Sequence, residues 1–255
     1  MSTDVGNEYG LEEVQKQLLI TLDELDKICR ENKICYSLHG GTLIGAERNH
    51  KLIPWDDDID VSMSRKNFIK LEQALKKKSY GCSLNKEVLW VPRFTSQKVN
   101  NAVCIDILIW DYISENKLEQ FMKVNLLRML QGMMKTDVDY SKYGNGAKVL
   151  LKITEMMGKP LSTKQKMKLY YYVSTQCFVG NRMCVHRSND NFKSLNYILD
   201  SDYVRTYSTI LLEGKKYMVS RRFQESLVMS YGKDYLTPPP ESERVPQHAA
   251  IRAAL

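Results

Sequence analysis

Residues 39–61 read HGGTLIGAERNHKLIPWDDDIDV, and the fold and chemistry of the chain turn on this stretch. A Gly40-Gly41-Thr42 turn stands shortly before four aspartates in five positions, Asp56, Asp57, Asp58 and Asp60. Ile59 and Val61 alternate with Asp58 and Asp60, the period of a strand with one apolar and one polar face. On such a strand Asp56, Asp58 and Asp60 project from the same side, roughly 6–7 Å apart. Three carboxylates on one face raise each other's proton affinity unless a cation or a basic partner neutralises them. Hard oxygen ligands of this kind suit Mg²⁺ or Mn²⁺ better than zinc. The competing reading is a solvated acidic turn after Pro54-Trp55. A calcium loop is excluded, because counting from Asp56 puts the required glycine at Val61 and the closing glutamate at Asn67.

Upstream, Ile34–Leu38 has the composition of a short buried strand, and Thr42 onward that of a helix. Strand, glycine turn and helix N-terminus make a ready anion site, since free backbone N–H groups and the helix dipole point at whatever sits there. By itself Gly-Gly-Thr marks a turn; followed by the aspartates it reads as a phosphate cradle facing a metal site. Downstream, Val103–Trp110 is a strongly apolar run expected to form a central strand, with Asp106 as its one charged residue. A carboxylate inside such a strand is costly unless paired or metal-bound. Two roles are open for Asp106, a third metal ligand or a salt bridge to Arg or Lys.

Together these segments resemble the LicD-type phosphotransferase family, which includes bacterial phosphocholine transferases and fukutin-related proteins within the nucleotidyltransferase superfamily. The matching elements are Gly40-Gly41-Thr42-Leu43, the block Ile53-Pro54-Trp55-Asp56-Asp57-Asp58-Ile59-Asp60, and the strand Ile105-Asp106-Ile107. Farther on come Glu213-Gly214, the run from Tyr231-Gly232 through Tyr235 to Pro238-Pro239, and His248, in the family's order. Leu108-Ile109-Trp110 replaces a frequent Phe-Pro continuation, and Val219-Ser220 a usual Val-Pro. The resemblance implies Asp58 and Asp60 as paired metal ligands, joined by Asp56 and by Asp106 as the third carboxylate. Gly40, Gly41 and Thr42 would hold donor phosphate, with Arg48 as a phosphate cation and Arg93 as a second candidate. The implied reaction is Mg²⁺- or Mn²⁺-dependent transfer of phosphocholine or a phospho-alditol from a CDP-linked donor to a hydroxyl of a cell-surface glycan precursor. Asp58, Asp60 and Asp106 would be catalytic, Asp106 bridging metal and incoming hydroxyl as general base or serving as a ligand alone.

Charge is unevenly spread. The chain of 255 residues carries a net charge of +7, and residues 117–168 hold the whole of that excess, with eleven Lys/Arg against four Asp/Glu. The same segment shows helical apolar spacing at Phe121, Val124, Leu127 and Leu130. Such a basic lobe suits an anionic acceptor, a lipid-linked glycan or the inner membrane surface. Equally, its apolar face could pack on a core and leave the lysines solvated. Nucleic acid is not expected as a partner, since RRM, KH, zinc-finger and helix-turn-helix signatures are missing. Walker A, G-x-G-x-x-G, H-E-x-x-H and G-x-S-x-G patterns are missing too. Six cysteines without C-x-x-C spacing, no signal peptide and no long apolar run point to reduced thiols and a cytoplasmic protein, peripheral at most to the inner face of the cell membrane.

Leu11, Val14, Leu18, Leu22, Leu25 and Ile28 predict an opening helix of about twenty residues. Ser64 is expected to cap a further helix with Phe68, Leu71 and Leu75 inside and Gly81 closing it. Two or three strands follow near 84–110, helices over 116–175, and short elements ending in Pro238-Pro239-Pro240 and a frayed tail. The fold class is therefore α/β (α+β), a nucleotidyltransferase-like mixed sheet flanked by helices. Residues 1–115 form its catalytic core, 116–175 a basic helical lobe and 176–255 a segment folding back on the core. Two other functions use the same fold: transfer of NMP to a small molecule or protein, and a non-catalytic role as a scaffold in a glycan pathway.

Overall fold

The structure, a computed structural model, describes residues 9–85, 91–99, 103–135 and 144–246. His248 and the tail beyond it lie outside the described residues. The chain divides into two compact units, one of residues up to Trp110 together with those from Asp202 on, the other of Asp111–Ser201. In this division residues 176–201 group with the helices of the second unit.

In the first unit, α1 (Glu12–Glu31) buries Val14, Leu18, Leu22, Leu25 and Ile28, the stripe its spacing predicts. It leads to β1 (Ser37–His39) and directly into α2 (Gly40–Asn49). Then come β2 (Ile59–Ser64), α3 (Arg65–Lys77), β3 (Cys82–Asn85), β4 (Arg93–Ser96) and β5 (Ile105–Ile113), which begins in this unit and ends in the other. The strands lie in the order β1-β2-β5-β4-β3, and only β2 and β5 run parallel. This is a mixed sheet. Its register sets His39, Asp60, Asp106 and Arg93 side by side on four successive strands. Leu18, Leu22 and Leu25 of α1, Phe68 and Leu71 of α3, and Ile59, Val61, Ile105 and Ile107 of the sheet share one core.

Local expectations are met at several points and shifted at others. Ser64 caps α3 by accepting a hydrogen bond from Asn67 N at 3.3 Å. The helix ends at Lys77, however, and Gly81 instead turns into β3 with φ +65°. The first strand starts at Ser37, not Ile34, and the Gly-Gly-Thr segment is the first turn of α2 rather than a loop before it. Only Asp60 sits on a strand; Asp56, Asp57 and Asp58 precede β2 in an extended connection. Alternation survives there because Asp57 is buried while Asp56, Asp58 and Asp60 face the other way. Cys35 and Cys104 stand just outside β1 and β5 and are half-buried, and all six cysteines are free thiols.

The returning segment supplies β8 (Tyr207–Leu212), β9 (Lys215–Ser220) and α7 (Phe223–Tyr231). Glu213-Gly214, with φ +46° and +77°, forms the two-residue hairpin turn between these strands. Glu213 N donates to His50 O at 2.8 Å, and its carboxylate accepts from Leu52 N at 2.9 Å. The acidic-glycine pair therefore clamps the loop that leads into the aspartates.

In the second unit lie α4 (Lys117–Met134), α5 (Asn145–Gly158), α6 (Thr163–Gln176), β6 (Cys184–Arg187) and β7 (Ile198–Asp200). Val124, Leu127 and Leu130 of α4 are buried, as core packing requires. Lys123 is buried too, its ammonium donating to the carbonyls of Tyr112 and Ser174 at 2.6 and 2.8 Å. Among the described residues no helix is long and apolar enough to cross a membrane.

Candidate active site

A cavity of about 460 Å³ opens in the first unit beside the aspartates. Gly41, Arg48, Asp56, Asp58 and Asp60 line it, facing Trp55 and the returning segment's Tyr231, Asp234 and Tyr235. The acid wall is placed from two sides. Gln15 of α1 donates from Nε2 to the carbonyls of Ile53 and Asp56, both at 2.9 Å, which holds the loop. Thr42 Oγ1 accepts from Asp60 N at 3.3 Å, which holds the start of β2. The Thr42 side chain is buried and does not line the cavity, so its hydroxyl positions the acid strand instead of facing a phosphate.

Gly40 and Gly41 are required for a steric reason. Gly40 has φ +58°, and a Cβ there would stand 2.9 Å from Asp60 Oδ2. At Gly41 an added Cβ would overlap the Asp56 carboxylate. Gly45 is similar, since its Cβ would run into the Lys51 carbonyl, so α2 and the loop after it pack backbone against backbone.

Electrostatics are set by crowding. Asp56 is half-buried in the cavity wall, and its proton affinity is raised well above the usual carboxylate range, first by desolvation and then by the charge of Asp58, a hydrogen bond with Asp58 and the charges of Asp60 and Asp57. Its Oδ2 is buried without a hydrogen-bond partner. Such an oxygen is costly as it stands and fits a cation or a proton. The donor set is all hard oxygen, which matches Mg²⁺ or Mn²⁺. The carboxylates share a wall without forming a finished cage: among the described residues, no group of three or more His, Cys, Asp or Glu is placed to hold an ion as it stands.

Asp56→Asn has a defined consequence in metal-free protein. An acid whose folded-state proton affinity is raised stabilises the fold at low pH, and this contribution is lost as pH rises from the ordinary carboxylate range through the raised value. At neutral pH the variant should therefore melt higher than the parent by at least ~2 °C, the effect of ~1 kcal/mol on a domain of this size. The gap should close as pH falls through that window. Thermal unfolding across pH in EDTA checks this, and a gap that widens on acidification would contradict the crowding.

Arg48 lies at the C-terminal end of α2, with Nη2 donating to Tyr235 O at 3.1 Å and no carboxylate partner among the described residues. Its Nε is buried without a partner, and burial, followed by the charge of Arg244, holds its proton affinity below the ordinary guanidinium value. Arg48 is therefore a cation available to an anionic ligand. Arg93 is not: its Nε donates to Asp106 Oδ1 at 3.1 Å across β4 and β5. Asp106, next to Asp60 in register, is only half-buried and lies outside the cavity lining. The salt-bridge role is thus realised for Asp106, and Arg93 serves as its counter-ion.

Trp55, Tyr231, Asp234 and Tyr235 were not singled out as site residues from the sequence. Tyr231 and Tyr235 belong to the tyrosine-glycine pattern near the end of the chain, a signal that marks the segment without saying where it folds. Tyr235 is pushed up to about 12 by burial and by its hydrogen bond to Glu47. Trp55 carries the Arg244 guanidinium 5.2 Å from its ring centroid.

Comparison with known proteins accounts for this arrangement. Residues 33–134 match the model of the LicD/FKTN/FKRP nucleotidyltransferase domain, a span that holds the glycine turn, all four aspartates, Arg48, Arg93 and Asp106. Over this span the chain is similar to the LicD family. Lipopolysaccharide cholinephosphotransferase LicD of Haemophilus influenzae is 26% identical over 265 residues, covering 93% of this chain and 96% of that protein. An uncharacterized Rickettsia prowazekii protein, RP689, is 35% identical over 54 residues, 21% of this chain and 20% of its own length. The LicD match extends past the domain model into the returning segment, where Tyr231, Asp234 and Tyr235 complete the cavity. The chain is thus a LicD-type transferase.

Proposed function

We propose that this protein transfers a phosphorylated small group from a CDP-linked donor to a hydroxyl of a cell-surface glycan precursor, acting in the cytoplasm with Mg²⁺ or Mn²⁺. One observation carries the reading: Asp56, Asp58 and Asp60 share a cavity wall with Gly41 and with Arg48, which has no carboxylate partner among the described residues, an acid face beside a cation. That is the composition a metal-dependent phosphoryl site needs.

Asp56, Asp58 and Asp60 would hold the divalent ion, which supplies charge neutralisation for the donor phosphates when bound. Arg48 takes a phosphate oxygen that the acid wall would otherwise repel. Gly41 lets the donor approach the backbone closely. The carboxylate of Asp106, beside Asp60 in register, would accept the proton of the incoming hydroxyl, with Arg93 orienting it.

Phosphocholine would be the transferred group. Tyr231 and Tyr235 line the cavity, where their rings would meet a quaternary ammonium, and Asp234, whose carboxylate has no partner among the described residues, would add a countercharge. The name of the Haemophilus relative supports the same choice. A phospho-alditol would use the hydroxyl and carboxylate groups of this wall but not its rings.

Incubation with envelope glycan extract and, separately, CDP-choline, CDP-glycerol, CDP-ribitol, CTP and ATP, followed by ³¹P NMR, tests this. CMP with a new phosphodiester from CDP-choline is expected. Pyrophosphate from a triphosphate with a nucleotidylated product would make the protein an NMP transferase, and silence across the panel would favour the scaffold role. Asp106→Asn should lower turnover by at least ~10²-fold, the usual worth of a positioned proton acceptor. Full activity in that variant would leave Asp106 as the structural partner of Arg93 alone.

A further inference from the structure

We propose that the outward face of α5 docks the protein on an anionic lipid surface, the helix lying in the plane of the interface. The argument starts from how α5 packs. Small and hydroxyl-bearing residues point inward: a Cβ on Gly132 of α4 would stand 3.0 Å from Thr154 Cβ, and one on Gly158 would stand 3.0 Å from Met133 Cβ. Close approach of the two helices thus uses Thr154, Gly132 and Gly158. Four of its large apolar residues lie away from that contact.

Val149, Ile153, Met156 and Met157 are 45–66% exposed. Their spacing places them on one helical face, with the exposed Lys152 and Lys159 along its edge. Four large apolar side chains on one face of this helix are thus left uncovered by the described residues. About 21 Å long, it is too short to span a bilayer but long enough to lie on one. Long lysine stems can reach headgroup phosphates while methionine and isoleucine side chains enter the acyl boundary.

Charge selects the occupant. Residues 117–168 hold an excess equal to the chain's entire net charge of +7. Two copies meeting through this face would bring two such lobes together and repel. Nucleic acid would answer the lysines but leave the apolar side chains without partners. An anionic bilayer satisfies both at once.

Flotation of the full-length protein with mixed phosphatidylglycerol–phosphatidylcholine vesicles, against phosphatidylcholine alone, tests the proposal without any catalytic readout, so it stands or falls apart from the transfer reaction. Binding to the anionic vesicles alone is expected. Ile153→Asp with Met156→Asp should reduce the bound fraction at least ~10-fold, and Lys152→Glu with Lys159→Glu should also reduce it. Thermal midpoints should not move, because these side chains are exposed. Failure to float with anionic vesicles, or undiminished flotation of the Ile153→Asp/Met156→Asp variant, would overturn the proposal. A dimer in light scattering that the same variant dissolves would assign the face to a second copy instead.

Discussion

Asp58→Asn and Asp60→Asn are each expected to reduce turnover at least ~10³-fold, the worth of one preorganised charge at a phosphoryl site. Folding should be spared. Asp60 is held by its backbone, with N donating to Thr42 Oγ1 and the strand paired on both sides by β1 and β5, and none of these contacts uses the carboxylate. Asp58 is one source of the crowding at Asp56, so its neutralisation also relieves repulsion. Steady-state rates beside thermal unfolding separate the two effects. A variant with full turnover would remove that residue from the site. An inactive variant that has also unfolded would show that the carboxylate is needed for the fold.

Chelation should have an effect of the same size. Dialysis against EDTA is expected to stop turnover by at least ~10³-fold, and added Mg²⁺ or Mn²⁺ to restore it, because the acid wall would otherwise repel the donor phosphates. Binding gives a second readout. Mg²⁺ should raise the thermal midpoint of the parent protein, by the linkage that any ligand of the folded state obeys, and raise that of Asp58→Asn much less. Turnover that survives removal of metal, measured on protein verified free of it, would sink the metal mechanism while leaving the family relationship intact.

What was legible in the sequence follows from local periodicity. The stripe of α1, the cap at Ser64 and the alternation through Asp56, Asp58 and Asp60 depend on neighbours a few residues away, and each has its counterpart in the structure. The alternation even outlasts the strand on which it was expected, because Asp57 is drawn into the protein while its neighbours face the cavity. Boundaries were less legible. Gly40 and Gly41 read as a turn, yet α2 begins at Gly40 because β1 runs straight into the helix.

Other features turn on partners far apart in the chain. Arg93 reads as a phosphate cation until β4 pairs with β5 and sets it against Asp106. Thr42 reads as part of the cradle until β2 folds over it and takes its hydroxyl. Nothing in the Lys/Met-rich composition of 117–168 reveals that α4 buries Val124, Leu127 and Leu130 but leaves Phe121 exposed, while α5 turns Val149, Ile153, Met156 and Met157 outward; that depends on how Gly132 and Gly158 let the two helices approach.

The amino-acid sequence alone thus determined the acid block, the glycine turn before it and the family they mark, since these are short patterns whose chemistry is carried by adjacent residues. Tertiary structure decided which of those residues face the cavity, which are used up in holding it, and which distant side chains, Tyr231, Asp234 and Tyr235, form its far wall. The physical reason is that a side chain's availability depends on burial and on its partners, and both are set by strand register and helix packing between segments nearly two hundred residues apart, as Arg48 and Tyr235 are (|i−j| = 187).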